Sequence, residues 1–270
     1  MSINPKLSAS QKTSLDLNTL SKGIVDGNST MLSRAITLIE STKNDDKVLA
    51  NQLIEKLPKT NLKNYRIGIT GNPGVGKSSL IEKLGIQYIS SGHKVAVLAY
   101  DPSSLKSGGS ILGDKTRMEK LSQKENAFIR PSPSSGNLGG VGMNTEKLVL
   151  LFEAAGFDRI IIETVGVGQN ETLIENFVDC FVLIALPGAG DEIQGIKRGI
   201  IERTDILAVN KADGEQINLA NIALGFYKNV LHLFPREDKW IVPSMAISAQ
   251  ENSGIDDLIK LIEKFYRHQL

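Results

Sequence analysis

The sequence predicts an α/β protein: three layers, α/β/α, around a mostly parallel sheet, preceded by a helical extension. Three observations carry this reading. From residue 65 onward, short β-rich apolar runs alternate with helical segments, the pattern of a sheet covered on both faces. A glycine-rich turn, GNPGVGKS, follows the first of these runs and opens a helix. Carboxylates and further glycine-rich turns stand at the ends of later runs, which is where open α/β sheets bind their ligands.

The elements follow in order. Residues 1 to about 22 are polar and are expected to be loose. Between 25 and 57 the apolar spacing predicts two amphipathic helices, with Leu32, Ile36 and Ile39 on the first and Leu53, Ile54 and Leu57 on the second. Asn44 and the two aspartates after it are expected to end the first helix and cap the second. This divides the chain into an N-terminal helical extension, 1–62, and a main domain, 63–270. Strands are expected at YRIGIT (65–70), KVAVLAY (94–100), NAFIRP (126–131), RIIIET (159–164), CFVLIAL (180–186), DILAVN (205–210) and IVPSMAIS (241–248). Helices are expected after Lys77, Met143, Asn170, Asp191, Gln216 and Ile255.

Composition narrows the function classes. The 270 residues are 41% hydrophobic and 23% charged, enough to bury a core of ordinary size. With 31 basic and 30 acidic residues, the net charge of +1 gives no global attraction to nucleic acid or to an anionic membrane. The single cysteine, Cys180, excludes a disulfide within the chain and reads as a small buried strand residue. His93, His232 and His268 lack metal-ligand spacing and read as surface or boundary residues. The N-terminus has no apolar signal region, and no apolar run is long enough to span a bilayer, so a cytoplasmic location is expected.

The turn Gly71-Asn72-Pro73-Gly74-Val75-Gly76-Lys77-Ser78 is a complete P-loop motif between a strand and a helix. Its backbone N–H groups and the helix N-terminus suit phosphates; Lys77 is expected at the β and γ phosphates and Ser78 on Mg²⁺, with Ser79 beside it. This places the fold among P-loop NTPases. Asn210-Lys211-Ala212-Asp213 ends a late strand. This N-K-x-D run resembles the guanine-reading element of P-loop GTPases; guanine presents two donors on one edge and a carboxylate accepts both, so the resemblance implies that Asp213 selects the base. Asn210 should brace the loop, and the Lys211 stem should lie along the ring. Ser248, Ala249 and Gln250 end the next strand and resemble the S-A element of such GTPases, which implies a backbone contact to the guanine oxygen. The expected ligand is therefore GTP or GDP.

Glu163 ends the RIIIE run with Gly166 three residues on, a carboxylate for the metal's water shell and an N–H for the γ-phosphate. Asp101 ends the second sheet strand. Asp114 follows a glycine-rich stretch and reads as a metal contact or as the N-cap of KTRMEKL. PSPSSGNLGGVGM has too few apolar residues for a strand and is expected to be a loop near the site. Asp191, Glu192, Gln194 and Lys197 follow a Pro-Gly turn and are expected in a switch segment touching nucleotide or partner. Gln169 reads either as the residue orienting the attacking water or as a surface residue, and no arginine finger is evident in cis.

Together, DPSS…SGGSILGDKTRM, ETVGVGQNE, PGAGDEIQGIKRGI and NKAD resemble the MeaB/ArgK family of P-loop GTPases, whose mitochondrial relative is the methylmalonic aciduria type A protein. The resemblance covers most of the chain. It implies a GTPase that gates cofactor loading and protection of an adenosylcobalamin-dependent methylmalonyl-CoA mutase or a related acyl-CoA mutase. It implies magnesium-associated roles for Asp101, Asp114 and Glu163, and coupling of nucleotide state to the mutase through Asp191, Glu192 and Lys197. It also implies a C-terminal arm that forms a homodimer; the sequence closes on KLIEKFYRHQL, so the main domain is expected without that arm and the dimer stays open. Older labels in the family describe an arginine/ornithine transport kinase or ATPase, and related P-loop GTPases are nickel metallochaperones. The guanine motif speaks against the first, and the lack of His- or Cys-rich tracts against the second.

Overall fold

The computed structural model describes residues 16–59, 63–101, 117–133, 138–164, 175–188 and 198–270. Seven parallel strands make one sheet: β1 (Tyr65–Thr70), β2 (Val95–Asp101), β3 (Ala127–Pro133), β4 (Arg159–Glu163), β5 (Cys180–Ala185), β6 (Ile206–Val209) and β7 (Ser244–Ala246). Their spatial order is β3-β2-β4-β1-β5-β6-β7. Every strand expected from the sequence is present. The chain winds from β1 to one side for β2, β3 and β4, then to the other for β5, β6 and β7. The carboxyl end of β1 is thus the point where the winding reverses, the natural crevice of such a sheet.

The helices are α1 (Leu17–Val25), α2 (Ser29–Glu40), α3 (Asn44–Lys56), α4 (Lys77–Ser90), α5 (Glu119–Ser122), α6 (Leu138–Ala154), α7 (Arg198–Arg203), α8 (Ile217–His232) and α9 (Ile255–Gln269). Both faces of the sheet are apolar because both are covered. On one face Ile67, Ile69, Val97 and Ile161 pack with Leu80 and Leu84 of α4 and Leu258, Ile262 and Phe265 of α9. On the other, Ala96, Leu98, Ile160 and Ile162 pack with Leu148 and Phe152 of α6 and with Ile36 and Leu53 of α2 and α3. A third cluster joins Leu183, Leu207 and Val209 to Ala220 and Tyr227 of α8.

Four local expectations change. Residues 17–22, read as loose, belong to α1. Asp16 caps it by accepting from the Asn18 and Thr19 N–H groups, and only Leu20 and Ile24, one turn apart, are buried. Leu17, partly buried, joins Leu20 and Ile24 at helical spacing, but the signal spans only nine residues at the end of a polar run. Asn44 does not end the preceding helix; it begins α3, whose capping position is Lys43 with no side-chain cap, while Asp46 accepts from the Ser41 hydroxyl at 2.6 Å. PSPSSGNLGGVGM is not a loop throughout: residues 131–133 complete β3, and α6 starts at Leu138, five residues before Met143. Prolines are tolerated there because β3 is an edge strand bonded only to β2. The glycines at the start of α6 are carried by a helix whose later turns are buried, which outweighs propensity. The expected helix after Asn170 falls outside the described residues except for a 3₁₀ turn, Glu175–Phe177. That after Asp191 enters description as α7.

Candidate functional site at the carboxyl rim of the sheet

Because every strand runs the same way, the strand-end motifs share one rim. Along it stand, in order, Asp101 (β2), Glu163 (β4), the P-loop (β1), Asn210 (β6) and Ser248 (just past β7). The P-loop leaves β1 through Gly71, whose φ is +148° and whose missing side chain leaves room for the Ile184 carbonyl of β5; any Cβ would collide with it. Gly76, with φ +92°, turns the chain into α4, and a Cβ there would strike the Asn210 amide. Val75 is drawn into the core, while Pro73 and Gly74 are exposed. The loop is pinned at one point and open around it.

The Lys77 ammonium is buried and donates to the carbonyls of Gly71 (2.7 Å) and Asn72 (3.2 Å), which holds it inside the loop. Ser78 opens the first turn of α4 and its hydroxyl donates to Glu163 Oε1 at 3.3 Å. Glu163 is itself only 9% exposed. Two hard oxygens are thus brought side by side next to the phosphate cradle. The backbone of Asp101 ends β2 on this rim. Asp114, Gly166, Gln169, Asp191, Glu192, Gln194 and Lys197 lie outside the described residues.

Asn210 is 2% exposed and joins three segments. Its Nδ2 donates to the Val75 carbonyl in the P-loop at 2.7 Å, its Oδ1 accepts from the Ala249 N–H at 3.0 Å, and its own N–H bonds Ala185 of β5. Lys211 takes a left-handed backbone, φ +60°, and is exposed. Asp213 is half-buried, and one carboxylate oxygen accepts from the Ser248 hydroxyl at 2.5 Å. Ser248 in turn accepts from the Glu251 N–H and is fixed by paired backbone bonds with Ser253. Its side chain therefore orients Asp213, a contact between residues 35 positions apart that the sequence reading did not include; it assigned Ser248 a backbone role only. Ala249 is buried and Gln250 exposed.

A further network lies on the α6 face of the same rim. Glu40, the last residue of α2, accepts from the Ser132 hydroxyl (2.7 Å) and from the Arg130 guanidinium of β3. Tyr100 of β2 shares a 2.5 Å hydrogen bond with Thr145 of α6, and burial pushes its phenol well above the usual range. Nothing in the sequence pairs these residues; they meet only once β3 and β2 are neighbours.

A glycine-lined cradle at the reversal point, a helix-borne lysine and serine beside a buried strand-end glutamate, and an Asn-Lys-x-Asp loop braced against that cradle define a P-loop GTPase. Comparison with known proteins gives the family: residues 32–269 match the model of the methylmalonyl Co-A mutase-associated GTPase MeaB, and the chain belongs to that family. It is 45% identical over 240 residues to GTPase ArgK of Escherichia coli, covering 88% of this chain and 72% of that protein. It is 43% identical over 272 residues to the mitochondrial methylmalonic aciduria type A homolog of Mus musculus, covering 97% of this chain and 65% of the mouse protein. A crystal structure described as a LAO/AO transport system kinase superposes with a TM-score of 0.79 at 34% identity, over 96% of this chain and 78% of that one. Among the described residues no helix is long and apolar enough to cross a membrane.

Proposed function

We propose that the chain uses GTP binding and hydrolysis to chaperone an adenosylcobalamin-dependent acyl-CoA mutase, methylmalonyl-CoA mutase in the first instance, gating cofactor loading and protecting the loaded enzyme. The observation that carries the reading is the family match over residues 32–269, which takes in most of α2 and all of α3 together with the strand-end motifs of the rim. The site roles belong to the same proposal. The P-loop amides and Lys77 hold the phosphates; Asp213, oriented by Ser248, accepts from the two donors of guanine; Asn210 keeps the two loops in register.

Mg²⁺ fits the residues present. Neighbouring oxygens in a magnesium shell at about 2.1 Å lie about 3 Å apart, close to the 3.3 Å between Ser78 Oγ and Glu163 Oε1. Ser78 and Glu163 would hold it, with Asp101 and Asp114 adding carboxylates, and it would supply charge neutralisation at the phosphates. The Gly166 N–H is proposed to sense the γ-phosphate and Gln169 to orient water. Asp191, Glu192, Gln194 and Lys197 are proposed to carry the nucleotide state to the mutase. The buried, unpaired Cys180 suits a reducing cytoplasm.

Phosphoryl transfer to water without an arginine supplied in cis is slow, and a partner that completes the site accelerates it by orders of magnitude. The test is the rate of phosphate release from GTP with and without methylmalonyl-CoA mutase, alongside co-purification of the mutase with GTP-loaded and GDP-loaded protein. Expected are at least a tenfold acceleration and nucleotide-dependent association. A rate and an association indifferent to the mutase reject the chaperone role; label passing from GTP to an amino acid instead of to inorganic phosphate would replace it with a kinase.

A further inference from the structure

One row of side chains at the carboxyl rim has no part in the roles above. The register pairs Tyr100 with Ser132, Ala99 with Glu163 and Ile69 with Glu163. One position further, Ser132 on β3, Tyr100 on β2, Thr164 just past the end of β4 and Thr70 on β1 therefore stand side by side. By the two-residue period of a strand, Tyr100 and Thr164 share the face of Leu98 and Ile162, the face covered by α6 and the N-terminal helices. All four are buried, at 5%, 6%, 1% and 0% exposure. Ser132 donates to Glu40 and Tyr100 pairs with Thr145. The Oγ1 atoms of Thr164 and Thr70 are buried and have no hydrogen-bond partner among the described residues.

Two adjacent orphaned hydroxyls are an unfavourable choice for a strand. Valine has the same shape, a strand preference as good or better, and no polar atom to desolvate. Buried polar atoms without protein partners are the places where ordered water is held, and such a water needs two or more polar contacts. The location gives the water something to do. Thr70 is the residue before Gly71 of the P-loop, and Thr164 is the residue after Glu163; the two chain segments are already joined by the Thr164 N–H to the Ile69 carbonyl at 2.9 Å.

We propose that Thr70 and Thr164 together bind one water that bridges the ends of β1 and β4, and that both are positioning residues for GTP hydrolysis. The bridge sets the separation of the phosphate cradle and Glu163, and with it the 3.3 Å approach of Ser78 to that carboxylate. This rests on the reading of Lys77, Ser78 and Glu163 as the phosphate and metal side of the site. A residue that merely fills space would show its loss in stability; these two should show it in turnover.

The experiment compares Thr70→Val, Thr164→Val, the double variant and the two serine substitutions in the full chain. Each valine variant is expected to lower kcat for GTP about tenfold, with KM within twofold and a thermal midpoint equal to or above the parent. The serine variants should recover most of the rate. The double variant should be no slower than the singles, because both remove the same water. Unchanged kcat, a midpoint that falls in step with kcat, or losses that multiply in the double variant overturn the proposal. A high-resolution crystal structure of the GDP complex tests the bridge without turnover: a water within hydrogen-bond distance of both Oγ1 atoms is expected. Its absence, or a direct bond between the hydroxyls, also overturns it. Were the unsubstituted protein to release no phosphate from GTP, the reading of the site would fall, and the crystallographic water would still decide the bridge.

Discussion

Asp213 has one carboxylate oxygen committed to the Ser248 hydroxyl, so the group is held in orientation before any base arrives. In the role proposed for Asp213, discrimination depends on charge and acceptor count at one position. Asp213→Asn replaces one acceptor with a donor that faces the guanine N–H groups, and xanthine, with an acceptor there, becomes the better partner. The expected outcome in a competition assay is a loss of GTP affinity of tenfold or more with a gain for XTP; unchanged preference removes Asp213 from its role. At this scale the sequence was legible where the chemistry is contiguous. GNPGVGKS and NKAD are each a complete motif within eight residues, and each lies on the rim. It was silent where the chemistry depends on register: nothing about Thr70 or Thr164 is unusual until β1 and β4 are laid side by side and their hydroxyls prove unpaired.

Among the elements, the N-terminal helices are the ones whose place could not be read ahead. Periodicity found α2 and α3, but α1 shows only the short run Leu17, Leu20 and Ile24, and the docking of all three follows from contacts with α6 that are far away in sequence. Leu53 of α3 is fully buried in the cluster that also holds Leu98 and Ile162 of the sheet. Truncating it to alanine is expected to cost about 2–5 kcal/mol and to shift a single unfolding transition as a whole. A separate early transition for residues before β1 would mean that the helices and the sheet are independent units. The strands were legible because β-branched runs bounded by turns are the clearest local signal. Their neighbours were not, since pairing order is set by crossover packing.

The molecule as a whole keeps its chemistry on one rim and a different kind of electrostatics on the other. At the amino edge, Asp205 and Arg236 line a cleft of 670 Å³ together with Asp179 and Asp238. Burial raises the Asp205 carboxyl to about 6, with the Phe181 N–H and Arg236 opposing the rise, and burial also raises Asp179. Arg236 lowers Asp238 to about 2. A carboxyl held above its unfolded value gives the folded state the greater proton affinity, so folding takes up a proton as pH falls from about 6 towards 3.8. Acidification from pH 7 to 5 therefore adds about 1 kcal/mol of stability through Asp205, whereas Asp238 loses its contribution only below its ordinary range. Urea midpoints at pH 7 and 5 should show a smaller gain in Asp205→Asn than in the parent. An equal gain in both would place the titration elsewhere.

Asn210 carries a consequence beyond its own hydrogen bonds. A single amide clamps Val75 on one side and Ala249 on the other, so the two loops proposed to hold phosphate and base are tied to each other like the halves of a jaw. In that proposed role the jaw would measure the length of its prey, and a molecule too short to reach both loops would forfeit the advantage of being grasped twice.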